Sequence, residues 1–184
     1  MYFYEEAKDE NSVVLCGKIV NIFETNNNGS MIVTLDCGRK NYPKIFAYGD
    51  CAKTIRENCY EGCTITAYGN IQHSNRGGGR VTQTIWCESI ELETKAALFK
   101  NEFYVSGRAV FVTESPKKAV VMVKTCVNGR KSIIPIVIFN PDPRQLSIEK
   151  NQPFQCCGVV QTTRKQNANG KSEFYESYVA RTYF

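Results

Sequence analysis

The segment Tyr42-Pro-Lys-Ile-Phe-Ala-Tyr48-Gly-Asp-Cys-Ala-Lys-Thr-Ile-Arg-Glu-Asn58 changes its period halfway along. Up to Tyr48 it alternates, so that Tyr42, Lys44, Phe46 and Tyr48 fall on one side of an extended strand and Ile45 and Ala47 on the other. From Cys51 onward good helix formers take over, with Asp50 placed as an N-cap and Ile55 on the apolar side. A strand over 42–49 therefore runs directly into a short helix over 51–58.

Further out, β-branched and aromatic runs separated by Gly, Asn, Pro and Ser predict strands near 13–23 and 31–37 before this segment, and near 63–72 and 80–92 after it. Five short strands with a helix between the third and fourth is the order of an OB-fold, a Greek-key barrel used for oligonucleotides and oligosaccharides. The rest of the chain repeats the pattern at an offset near ninety residues. Gly17-Lys18 matches Gly107-Arg108, residues 32–35 match 120–123, residues 44–50 match 135–140, and Gly69-Asn-Ile-Gln72 matches Gly158-Val-Val-Gln161. Strands of the second unit are expected near 103–113, 119–127, 132–139, 154–164 and 172–181, with a Pro-rich connection at 140–145 where the helix would stand. The chain reads as mainly β: two tandem OB-folds, five-stranded Greek-key barrels with a short helix after strand 3. The first covers 1–95, with a short acidic N-terminal arm, and the second 96–184. A single β-sandwich is the competing arrangement.

Charge is unevenly placed along the 184 residues. Residues 1–95 hold ten basic and twelve acidic side chains, net −2, and residues 96–184 hold thirteen and six, net +7, which sum to the formal +5. A polyanion would feel the second half most at long range. Nine cysteines, an odd number, lie largely in apolar segments, and the start MYFYEEAKDE has no apolar leader run, so reduced thiols and a cytoplasmic location are expected. The longest apolar stretch, 133–139, is interrupted by Pro135 and falls far short of the roughly 20 residues a membrane-spanning helix needs.

Enzyme chemistry finds little support. His73 is the sole histidine and sits in a Gly-rich segment read as a loop, without orienting partners. Gly170-Lys-Ser172 resembles the end of a P-loop, but Lys165 stands where the first glycine is required and a strand follows instead of a helix. Cys59-x3-Cys63 and Cys156-Cys157 lack zinc-ribbon spacing. No catalytic residue, metal or cofactor is expected.

Binding chemistry is better represented. Three aromatics and a lysine on one strand face suit nucleobases, which stack on aromatic rings for about 1–3 kcal/mol each with little regard to sequence. The alternation alone leaves open that this face is core or a subunit interface. Residues 73–80 and 164–171 occupy the same place in both repeats and read as basic, flexible loops, with Arg76, Arg80, Arg164, Lys165 and Lys171 available to phosphates. Arg39 and Lys40 add charge ahead of the third strand, and Phe139 is the one aromatic on the third strand of the second unit. Trp86, between Ile85 and Cys87, is assigned to core or interface.

The run from Tyr42 to Leu92 resembles the bacterial single-stranded-DNA-binding protein family. The stations are Tyr48-Gly-Asp-Cys-Ala52, Glu61-Gly-Cys-Thr-Ile65, Gly69-Asn-Ile-Gln72 and Gly78-Gly-Arg-Val-Thr-Gln-Thr-Ile85, in order and covering about half the chain. The resemblance implies sequence-independent binding and protection of single-stranded DNA in replication, recombination or mobile-element transfer. It places Tyr42 and Tyr48 at base-stacking stations with Lys44 at a basic station between them, and it implies a homodimer presenting four OB-folds. The family's acidic recruiting tail has no counterpart after Tyr178-Val-Ala-Arg-Thr-Tyr-Phe184, so tail-mediated recruitment is not expected. RNA is the alternative polymer. The alternative function is a protein-interaction or assembly module of a replication or conjugation complex, with the aromatic face buried between subunits.

Overall fold

Strand β1 (Glu10–Glu24) organises the molecule, because it has three antiparallel partners. Its second half pairs with β2 (Met31–Asp36), its first half pairs on one edge with β4 (Thr64–Arg76), and the other edge of that first half pairs with β6 (Lys100–Ser115). In the computed structural model, residues 8–25, 28–76, 80–93, 98–142, 148–166, 170 and 172–184 are described. The side chains of 74–76, 80, 81, 165, 172 and 173 are outside that description.

Two barrels close in the same order. In the first, β2 pairs with β3 (Lys44–Ala47), β3 runs parallel to β5 (Arg80–Leu92), and β5 returns through β4 to β1. In the second, β6 pairs with β7 (Lys118–Val127), β7 with β8 (Arg130–Phe139), β8 runs parallel to β10 (Ser172–Tyr183), and β10 returns through β9 (Pro153–Gln166) to β6. The β1–β6 ladder makes one ten-stranded sheet of the pair. This is the tandem OB-fold, and the single sandwich is excluded. Helix α1 (Gly49–Asn58) follows β3 and buries Cys51, Ala52 and Ile55. The corresponding segment of the second unit, 143–147, and the expected boundary at 95/96 both lie outside the described residues.

Alternation builds the interior. Val33, Leu35, Ile45, Ala47, Ile65, Ala67, Ile71 and Ile85 fill the first barrel, and Val121, Val123, Ile134, Ile136, Phe154, Val160 and Tyr178 the second. Each fully buried aliphatic contributes roughly 1.5–3 kcal/mol relative to exposure.

Three expectations are corrected. Strand β3 is shorter than 42–49, since Pro43 lacks an N–H for the ladder and Gly49, at φ +52°, turns the chain sharply into the helix. Tyr42 and Tyr48 thus flank the strand. The same turn makes Tyr48 the N-cap residue, with no side-chain cap bond, and puts Asp50 inside the first turn, where its charge still favours the helix dipole. Within the segments read as flexible loops, residues 73–76, 80 and 164–166 are ladder. His73 pairs with Gln83 and Arg76 with Arg80 in the β4–β5 hairpin, and Gln166 pairs with Ser172 in the β9–β10 hairpin. His73 is therefore a strand residue, its Nδ1 buried with no hydrogen-bond partner among the described residues.

Among the described residues no helix is long and apolar enough to cross a membrane.

Candidate nucleic-acid interface

The face bearing Lys44 and Phe46 points outward. Ile45 and Ala47 are buried, Lys44 is exposed, Phe46 is half-buried, and Tyr42 and Tyr48 are exposed at 36% and 37%. The aromatic side of the alternation is therefore not barrel core. The parallel β3–β5 pairing sets Phe46 opposite Trp86, and Trp86 projects from the same outer face, between buried Ile85 and Cys87. Its ring centroid is 4.9 Å from that of Phe46 and 5.2 Å from that of Tyr48, and Phe46 and Tyr48 are 6.5 Å apart. Trp86 is thus not barrel core: it completes a three-ring platform on the outer face. Asn70 and Gln72 on β4 flank it on the outer face, as Ile71 between them is buried.

The second barrel walls the platform at both ends. A groove of about 580 Å³ begins at Tyr42, Lys44 and Phe46 and ends against Thr162, Phe174, Tyr175 and Glu176 of the β9–β10 hairpin. A smaller, more polar recess of about 260 Å³ lies between Tyr48, Asn70, Gln72 and Glu88 on one side and Asn128 and Arg130 of the β7–β8 turn on the other.

Three hydrogen bonds fix the larger groove. The Tyr42 N–H donates to Thr162 Oγ1 (3.1 Å), the Lys44 N–H to Glu176 Oε1 (2.6 Å), and the Thr162 N–H to Asn41 Oδ1 (3.3 Å). Burial pushes the Glu176 carboxyl up to about 7, against the opposing pull of the Lys44 N–H and ammonium.

Of the other expected residues, Arg39 and Lys40 are exposed in the turn after β2 at φ +53° and +61°. Arg164 is exposed on β9, opposite Phe174. Phe139 is 52% exposed at the end of β8 and does not line either groove. Arg76, Arg80 and Lys165 stand on strands, and Lys171 lies outside the described residues. Phe174, Tyr175 and Glu176 were not singled out from the sequence, because only the folded path of β10 brings them to barrel one.

Burial pushes the thiols of Cys37 and Cys156 up to about 12 and Cys59 up to about 11, so none of these is a ready nucleophile. Among the described residues no three His, Cys, Asp or Glu side chains gather as metal ligands.

No protein-family model matches the sequence, and no curated protein matches it. Solved structures do match. The wild-type single-stranded DNA binding protein from Thermus aquaticus superposes with a TM-score of 0.68 at 16% identity, covering 97% of this chain and 93% of that one. A deletion variant of the same protein gives a TM-score of 0.68 at 16% identity over 97% and 95% of the two chains. This chain therefore shares, over nearly its whole length, the fold of that bacterial protein.

Proposed function

We propose that the chain binds and protects single-stranded DNA without sequence preference and without catalysing a reaction, in replication, recombination or mobile-element transfer. One observation carries this reading: Phe46, Trp86 and Tyr48 form an outward-facing aromatic platform beside Lys44, a cluster of rings on the outer face that packing of the barrel interior does not require. Stacked bases would cover the rings, with Lys44, Arg39 and Lys40 available to the sugar–phosphate backbone. The homodimer with four OB-folds belongs to this proposal and is checked by sedimentation.

The test is fluorescence anisotropy of labelled dT, dA and rU oligomers against matched duplex, titrated at two salt concentrations. Tight, length-dependent, salt-sensitive binding to single strands with little response to duplex is expected. Equal affinity for duplex would remove the stacking site. Failure to bind any single strand would turn attention to a protein partner on the aromatic face.

A further inference from the structure

The two barrels are alike in topology and unlike in their outer faces. Superposing the parallel pairs, Phe46↔Trp86 of barrel one corresponds to Val137↔Val179 of barrel two. Barrel two therefore has no counterpart of the two central platform rings, and Val137 is itself buried. Of its exposed aromatics, two on β10 line the groove against barrel one: Phe174 is 51% and Tyr175 45% exposed.

We infer that barrel two completes barrel one's site, Phe174 and Tyr175 forming with Tyr42, Lys44 and Phe46 a subsite between the barrels that holds a base of the single strand stacked on Phe46, Trp86 and Tyr48. The inference rests on the proposed function and deepens it.

Continuity comes first. Phe46 belongs to both the platform and the groove, so a strand leaving the platform at that end enters the groove without crossing bare surface. The far wall is fixed, because the bonds from Tyr42 and Lys44 to Thr162 and Glu176 tie the hairpin to the segment that carries the platform. A volume of about 580 Å³ lies within the roughly 300–1,000 Å³ of typical ligand clefts, enough for a base and its sugar.

Charge selects the occupant. Among the residues lining the groove Lys44, exposed, is the one cation and Glu176 the one carboxyl, so a phosphate contact falls to Lys44 and the rest of the lining is uncharged. Its aromatic walls and the Thr84 hydroxyl suit a nucleobase, with the phosphates held outside the groove.

Phe174→Ala and Tyr48→Ala in the full chain, titrated with oligo-dT, separate the possibilities. Phe174 is half-exposed, and thermal melting of the variant checks that the fold is kept. A loss of about 5- to 150-fold in affinity is expected for each variant. An oligo-dT carrying 5-iododeoxyuridine, irradiated on the wild-type chain, is expected to crosslink to the peptide holding Phe174 and Tyr175, a readout that needs no variant. Full affinity in Phe174→Ala beside weakened Tyr48→Ala, with crosslinks confined to barrel one, overturns the inference and leaves the proposed function standing. Failure of the wild-type chain to bind oligo-dT overturns both.

Discussion

Phe46, Trp86 and Tyr48 touch one another, and that contact shapes what their removal does. Tyr48→Ala and Trp86→Ala are each expected to weaken single-strand binding by about 1–3 kcal/mol. Because the rings support each other at 4.9–6.5 Å, the double variant should lose less than the sum. Oligo-dT should also quench the emission of Trp86, the sole tryptophan, whereas unchanged emission on saturation would place the strand elsewhere. Glu176 gives a second prediction at this scale. Its carboxyl is raised to about 7 in the fold and titrates near 4.3 when unfolded, so the native state holds the proton more tightly and stability falls as pH rises between those values, levelling above 7. The Lys44 ammonium and N–H oppose the shift, and burial outweighs them. Melting across pH should therefore show Glu176→Gln gaining on the parent from pH about 4.5 to 7, then holding a constant lead. A pH-independent difference would place the carboxyl in water. The Tyr42–Tyr48 half of this site was legible because period-two alternation sorts one strand's side chains into faces. Trp86 was not, since which face of β5 turns outward depends on its parallel pairing with β3, forty residues away.

The internal repeat was visible chiefly through glycines, and the elements show why they recur. A Cβ on Gly69 would stand 2.0 Å from the Trp86 carbonyl oxygen, and one on Gly158 would stand 2.0 Å from that of Val179, both backbone atoms that cannot swing aside. Each glycine sits beside a register shift, where the barrel sheet coils hardest. Gly69→Ala or Gly158→Ala should therefore cost at least about 1–3 kcal/mol in chemical denaturation. A loss below 0.5 kcal/mol, about what an ordinary surface substitution does, would show that the sheet relaxes there. A subtler repeat escaped the sequence reading. Asn11 of β1 and Asn101 of β6 each make two side-chain bonds to a backbone, at Ile71 and at Val160, with all four between 2.7 and 2.8 Å. Single asparagines carry no period, so only the matched bonds reveal them. Asn101→Ala, leaving the Val160 N–H and carbonyl unpaired, should lower stability by about 1–3 kcal/mol, and Asn101→Asp should not rescue it, because a carboxylate cannot donate to the carbonyl. The hairpin ends were misread for a related reason. Polar residues at 73–76 and 164–166 look like loop, yet cross-strand backbone bonds hold them in the ladder whatever their side chains prefer.

At the scale of the molecule, the β1–β6 ladder fixes the barrels in a single sheet, and among the described residues the platform occurs once. Duplication of the fold has thus not duplicated the stacking surface, as Val137 and Val179 hold the places of Phe46 and Trp86. What the second half adds is charge, net +7 against −2 for the first (thirteen basic minus six acidic, ten minus twelve), together with a wall beside the platform. On the proposed function, the second barrel would supply most of the long-range attraction for the polyanion and the first the stacking platform. A quantitative consequence follows for stoichiometry. An oligo-dT of about 8–10 nucleotides, within the roughly 4–16 that one OB-fold covers, should titrate as one tight site per chain instead of two. Phe139→Ala should leave that site intact, since Phe139 lies outside both grooves. Lys44→Ala should flatten the dependence of log K on log salt by about 0.7, the share of one phosphate contact on a single strand. Two equal sites per chain in calorimetry, with Phe139→Ala abolishing one of them, would mean that barrel two binds through a surface of its own and that the single platform is not what limits the molecule.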